Sequence, residues 1–465
     1  MTKKIISVLL SVLMIFGTVM SVSAATVYDS ANDRYQLQFN ADGKFKIIHL
    51  TDIQDDYPMV AASKQFIKEV LAEYKPDLVV LGGDNTVSSE ENKEASIKEI
   101  CDIFVNAKTC FTLVFGNHDA EQGYEREELW EMYVKYGGQY FLGFDATAAD
   151  GSDLSGVGNH NLTVLSSDGK KIAYNIFMLD SNTYTRDENG AGVYDCVHTD
   201  QIKWYKSVAE ELKKENGGEV VPSLVFQHII CNEVLEEGYV KSDISLYSIN
   251  EHIGKDVDGQ TYSFLPKFYK FKDPYIGELP CPGYYNYGEA DEMLKMGDVK
   301  AIFSGHDHVN DFSLTITADE ANEDGTYNTL DLVNTAGETF HSYSRIYSRG
   351  VKLIELDESD LSTYTTERIT VAAMTLKEGS LISVSEGGMS KAQAQFAVIL
   401  RSVVDTLMDI VQLISSFIAT FDVRPLVEDA SELVSQGYSS FKADSSEMLD
   451  NAGKLTSSFF SSLLG

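Results

Sequence analysis

Basic side chains are in short supply. The 465 residues carry 37 Lys and Arg against 71 Asp and Glu, a formal net charge of −34. Such an excess of one sign excludes a general binder of nucleic acid or of anionic membrane, since both are polyanions. It leaves small anionic substrates open, because a local cation site outweighs a distant average charge. Cysteine is also scarce: Cys101, Cys110, Cys196, Cys231 and Cys281 are odd in number and scattered, so they build neither a zinc site nor a disulfide framework. Most sit in apolar surroundings and read as small buried hydrophobes, with one bridge among them left open. Internal repeats and low-complexity tracts are lacking, and with 43% hydrophobic and 23% charged residues the chain can bury a sizeable core.

One long apolar run is present. Lys3 and Lys4 precede Ile5 to Met20, and Val22-Ser23-Ala24 supplies small residues at cleavage positions. This is the layout of a secretory signal over residues 1–24, with an uncleaved anchor as the alternative. The expectation is an exported protein, free outside the cell or held at its surface, without a transmembrane span once the signal is removed.

From Arg34 onward strand and helix patterns alternate. Tyr35–Phe39 and Phe45–Leu50 flank Asp42-Gly43, which predicts a hairpin. Helical spacing over Met59–Tyr74 stops before Pro76, and a second helix runs through Ile97, Ile100 and Phe104. Leu78-Val79-Val80-Leu81 reads as a strand buried on both faces. Further strands are predicted at Phe111–Phe115, Ile172–Leu179, Ser223–Gln227 and Val299–Ser304, with a helix at Thr199–Lys214. The fold class is α/β, or α+β in layers, within a domain spanning 25–388. Residues 232–291 form a Tyr-rich insert, read either as a functional cap or as a packed subdomain.

Residues 389–465 form a separate appendage. Phe396, Leu400, Val403, Leu407, Ile410, Ile414, Phe417 and Phe421 recur at alternating spacings of four and three, a heptad seam on one long helix. Arg401, Asp405 and Asp409 argue against a membrane span. After Pro425, Leu426, Leu433, Val434 and Phe441 predict a returning helix. The hairpin so formed could pack on itself, on the main domain or on a second copy.

Five polar motifs follow predicted strands: Thr51-Asp52-Ile53-Gln54, Gly82-Gly83-Asp84-Asn85, Gly116-Asn117-His118-Asp119, Gln227-His228 and Gly305-His306-Asp307-His308. In a layered fold the carboxyl ends of strands share an edge, so the five can converge. Asp, Asn and His without Cys make an oxygen and nitrogen ligand set, suited to Mn, Fe, Zn or Mg.

In this order the motifs resemble the calcineurin-like metallophosphoesterase family over roughly 44–356. Cys281-Pro282, Tyr285-Asn286 and the run from His306 to Asp311 are similar to its purple-acid-phosphatase-like branch. The resemblance implies a two-sheet β-sandwich flanked by helices, holding two metal ions about 3.5–4 Å apart. Asp84 would bridge both ions, Asp52 and His308 would hold the first, and Asn117, His228 and His306 the second. A water between them would attack phosphorus in a mono- or diester of a small phosphorylated substrate. His118 would steady the phosphoryl oxygens or protonate the leaving group, oriented by Asp119. Two positions depart from the pattern. Gln54 stands where the family carries His, so that ligand is a weaker, neutral one, and a catalytically impaired binding or surface protein is the rival reading. Val87 stands where purple enzymes carry a tyrosinate, which predicts a colourless protein. His49, His160, His198 and His252 read as structural, while His341 with Arg345 could line the pocket.

Overall fold

The computed structural model describes residues 26–29, 34–242, 263–322 and 324–420. The chain opens with strands β1 (Thr26–Asp29), β2 (Arg34–Gln38) and β3 (Lys44–Leu50), then α1 (Ala61–Tyr74), β4 (Leu78–Gly82), α2 (Lys93–Ala107), β5 (Phe111–Val114) and α3 (Arg126–Gly137). It continues through β6 (His160–Leu165), β7 (Ile172–Met178), the short β8 (Tyr184–Arg186) and β9 (Gly192–Tyr194), α4 (Thr199–Glu215) and β10 (Ser223–Phe226). Next come α5 (Glu233–Gly238), β11 (Tyr239–Ser242), β12 (Ser263–Pro266), β13 (Phe271–Tyr275), α6 (Glu289–Met296) and β14 (Val299–Ser304). The last part holds β15 (Asp311–Thr317), β16 (Thr329–Asn334), β17 (Gly350–Asp357), β18 (Asp360–Thr370), α7 (Val371–Leu376) and α8 (Lys391–Thr420).

Two large sheets face each other. One has five strands in the order β18-β17-β3-β4-β5, the other nine in the order β1-β2-β6-β7-β10-β14-β16-β15-β13. β3, β4 and β5 are mutually parallel, as are β7, β10, β14 and β16. The period-2 alternation of a strand explains the all-apolar runs. Leu78 and Val80 point between the sheets, beside Ile47, Ile176, Phe226 and Phe303. Val79 and Leu81 point the other way, onto Phe66 and Val70 of α1 and Ile100 and Phe104 of α2. On the far side, Phe177, Val225 and Ile302 meet Ile202 and Tyr205 of α4 and Met293 of α6. The architecture is the expected two-sheet sandwich with helices on both outer faces.

The expected hairpin at Asp42-Gly43 is not formed. The turn is real, with the Gly43 amide donating to Asn40 O at 2.8 Å, but β2 and β3 leave it into different sheets. A turn signature fixes a reversal of the chain and not which neighbours the two strands then find. Beyond Val299–Ser304, β15 to β18 extend both sheets. Within the Tyr-rich stretch, β13 is an edge strand of the nine-stranded sheet, and Tyr239 and Tyr275 are buried.

All five cysteines are free thiols. Helix α8 begins at a Ser390 cap, whose Oγ accepts from the Gln393 amide, and buries Ala394 and Ala397 beside Ala372. The chain divides after Met408 into two units, and of the second only residues 409–420 are described. The returning helix and the signal lie outside the described residues. No helix among the described residues is long and apolar enough to cross a membrane.

Candidate metal centre

Every parallel strand that carries a motif delivers it from its carboxyl end. Asp52 follows β3, Asp84 follows β4, Asn117 and His118 follow β5, His228 follows β10, and His306 and His308 follow β14. The sheets thus bring residues from both halves of the sandwich to one place. One ligand atom from each of Asp52, Asp84 and His228 lies within 4.8 Å of the others. His308 Nε2 is 3.4 Å from Asp52 Oδ1, His228 Nε2 is 3.3 Å from Asp84 Oδ2, and the His228 and His306 rings are 5.2 Å apart. The His118 amide donates to Asp84 Oδ1 at 2.8 Å, which ties the Asn117 segment to the same point. Asp52, Gln54, Asp84, Asn117, His228, His306 and His308 are all buried, and His118 is partly exposed.

The backbone is shaped for this convergence. Asp52 (φ 52°), Gln54 (φ 42°), Asp84 (φ 50°) and His306 (φ 69°) all adopt the left-handed region, costly for side-chain-bearing residues and concentrated at functional sites. Two motif glycines make room: a Cβ on Gly116 would lie 2.1 Å from Asp84 Oδ1, and one on Gly305 would lie 1.9 Å from Thr51 Oγ1.

Charge is balanced locally. Burial alone would push the Asp84 carboxyl up, but His228 and the His118 amide outweigh it and hold the group below the ordinary carboxylate range. Burial opposes charge on His228 and His308 too, yet Asp84 lifts the first to about 10 and Asp52 the second to about 9. His306, buried beside His228, is pushed down to about 3.

The donor set fits metal. Asn117 Oδ1 is buried without a hydrogen-bond partner among the described residues, and Asp52 Oδ1 and His228 Nε2 have only the long ion-pair contacts given above. Such orphaned atoms are expensive unless something positive sits among them. All are oxygen or imidazole nitrogen, the ligands of Mn, Fe, Zn or Mg.

Two sequence expectations need correction. Asp119 does not orient His118. Its carboxylate accepts from the backbone amides of Asn85 and Gly116, both at 2.8 Å, and so pins the β4 and β5 loops together. The partner of His118 Nδ1 is Glu121 Oε2 at 2.6 Å, an i+3 contact made by the turn itself. Gln54, expected to offer a carboxamide oxygen, instead turns Nε2 toward Asp84 Oδ2 at 2.9 Å.

Three tyrosines also touch the site residues. Tyr184 bonds Asn117, Tyr194 sets its ring edge-on to His306 at 4.5 Å, and Tyr343 stacks on His308 at 4.2 Å. No motif spacing marks them. His49 and His160 are buried and bonded to Thr335 and Thr112, and His198 pairs with Asp195. His341 and Arg345 are exposed, and His252 lies outside the described residues.

A two-sheet sandwich with carboxylate and imidazole side chains gathered at the strand ends defines a scaffold with one candidate metal site. The calcineurin-like phosphoesterase family matches residues 45–310, more than half of the sequence, and the chain belongs to that family. It is similar to two Arabidopsis thaliana proteins named probable inactive purple acid phosphatases. Number 14 is 24% identical over 383 residues, covering 73% of this chain and 84% of that protein. Number 29 is 27% identical over 354 residues, covering 70% and 79%. A purple acid phosphatase from yellow lupin seeds aligns over 72% of this chain and 55% of that one, with 11% identity and a TM-score of 0.32.

Proposed function

We propose that this chain is an exported, metal-dependent hydrolase of phosphate mono- or diesters. The observation that carries the reading is the buried cluster of Asp52, Asp84 and His228, whose ligand atoms lie within 4.8 Å of one another, beside an unpartnered Asn117 Oδ1. Asp84 would be shared by two cations, Asp52 and His308 would hold one, and Asn117, His228 and His306 the other. Bound there, the cations would activate a water and stabilise the charge developing on phosphorus. The chain supplies the rest. The His118 ring, partly exposed, would give a proton to the departing oxygen. Asp119 fixes the backbone that presents it. Val87 leaves the site without the tyrosinate of purple enzymes, so the loaded protein is colourless.

A second reading is favoured by one contact. The Gln54 amide nitrogen, bonded to Asp84, is a donor and no ligand. A site loaded with a single ion, or a binding protein on the same scaffold, would follow, and the names of the Arabidopsis proteins accord with it. The test is metal analysis of purified protein together with turnover of aryl phosphate mono- and diesters in Mn²⁺, Zn²⁺, Fe²⁺ or Mg²⁺. Turnover lost in Asn117→Ala and His118→Ala supports the hydrolase; turnover that persists in both sinks it.

Self-association belongs to the same proposal. Phe396, Val403, Leu407 and Ile410 of α8 are each about half exposed or more. Their heptad spacing suits the holes of a second such helix. Sedimentation that stays monomeric at high concentration would refute it.

A further inference from the structure

We infer that Tyr184 is a positioning residue that sets two parts of the site at once, the ligand atom of Asn117 and the proton-donor atom of His118. The inference rests on the roles proposed above for those two residues. Tyr184 stands on the β8–β9 hairpin, where it pairs with Tyr194 and their rings stack at 5.6 Å. The hairpin is rooted at its base by Asn182 Nδ2, which donates to Cys196 O at 2.9 Å, and by the Asp195 amide, which donates to Thr183 O.

From that platform the Tyr184 hydroxyl makes two bonds. It accepts from Asn117 Nδ2 at 2.8 Å and donates to Glu121 Oε1 at 3.0 Å. The first bond decides which way the Asn117 carboxamide lies. With the nitrogen spent on Tyr184, Oδ1 is turned into the site, where it is buried and unpartnered. The second bond holds Glu121, whose other oxygen meets His118 Nδ1 at 2.6 Å. A carboxylate only accepts, so Nδ1 carries hydrogen, and in the imidazolium form the second proton is on Nε2. When the P–O bond to the leaving group breaks, its electron pair stays on the departing oxygen, which takes the Nε2 proton. Water supplies the new P–O bond and gives its proton to solvent. The imidazole ends neutral, still bonded through Nδ1 to Glu121.

The arrangement separates two effects that one substitution would otherwise blur. Tyr184→Phe keeps the stacked ring and removes both bonds, while Glu121→Ala breaks only the branch to His118. The ring is 45% exposed, so loss of the hydroxyl is compatible with folding. Both variants and the wild type would be stripped of metal and titrated with Mn²⁺ by calorimetry, then assayed on aryl phosphates of graded leaving-group pKa. Tyr184→Phe is expected to weaken Mn²⁺ binding at one site about 10-fold, in the range of lost outer hydrogen bonds to metal ligands. It should also slow poor leaving groups more than good ones. Glu121→Ala is expected to leave Mn²⁺ affinity within about 2-fold and to steepen the leaving-group dependence alone, by the roughly 100-fold a positioned acid contributes. Wild-type Mn²⁺ affinity together with an unchanged leaving-group slope in Tyr184→Phe overturns the inference alone. A wild-type protein that takes up no Mn²⁺ overturns the proposed function and the inference with it.

Discussion

The carboxamide of Gln54 gives its nitrogen to Asp84: Nε2 donates to Oδ2 over 2.9 Å. A hydrogen bond therefore occupies one face of the carboxylate that the site's geometry makes central. For Gln54 to ligate a cation, its side chain would have to rotate and leave that bond.

Gln54→His is expected to raise Mn²⁺ or Zn²⁺ affinity at one site by about tenfold or more, since imidazole is the better ligand for either ion. The left-handed backbone there (φ 42°) is no bar, because His306 already sits at φ 69° in the same site. Calorimetric titration of the variant checks it. An unchanged isotherm would mean that position 54 never approaches the metal.

Metal should stabilise the fold as well as load the site. At free Mn²⁺ of 100 times Kd, mass action adds about 2.7 kcal/mol. Thermal unfolding should shift upward with Mn²⁺ in the wild type and fall back on chelation. Asn117→Ala, lacking the orphaned Oδ1, should show a smaller shift. Equal shifts in both proteins would remove Asn117 from the ligand set.

Gly116→Ala probes the close approach of two strand ends. The added Cβ would meet Asp84 Oδ1 at 2.1 Å, so the carboxylate or the β5 loop has to move. Overpacking of this kind costs about 1–3 kcal/mol. The expected result is a folded protein of lower melting temperature with Mn²⁺ uptake sharply reduced. Full uptake would show that Asp84 has room the structure does not display.

The buried Glu338 gives a pH dependence. Burial pushes its carboxyl up to about 8, only partly offset by the Ser63 hydroxyl, which donates to Oε2 at 2.9 Å. Oε1 has no hydrogen-bond partner among the described residues. Between an unfolded value of 4.5 and a folded one near 8 the folded state binds more proton. Its contribution to stability is therefore complete below about 4.5 and is lost as pH rises through about 8. Denaturant unfolding from pH 5 to 9 should show this decline, and Glu338→Gln should flatten it. A variant with the same slope as the wild type would assign the decline to other groups.

Much of this was legible from residue order, for physical reasons. Apolar runs such as Leu78–Leu81 must be buried on both faces, and a polar residue just past one sits at a strand end. That logic reaches Asp52, Asp84, Asn117, His228, His306 and His308. It fails for contacts made by folding alone. β8 and β9 have three residues each, too few for any period to show, so Tyr184 and Tyr194 carried no signal. Asp119, next to His118 in sequence, looked like its partner, but the turn swings the carboxylate onto backbone amides and brings Glu121 round instead. Gln54 could be recognised as unusual, while the direction of its amide depended on Asp84 arriving from another strand.

The left-handed conformations at Asp52, Gln54, Asp84 and His306 also limit how the site can drift. Asp, Asn, His and Gly tolerate that backbone far better than branched or bulky residues do. Three of the four positions hold Asp or His, and a random change there is penalised by the main chain before any chemistry is lost. Asn117, His228 and His308 carry no such penalty and are freer to be replaced. The one departure in the ligand set has nonetheless arisen at a left-handed position, Gln54, so the main chain there favours the very histidine that the family pattern carries.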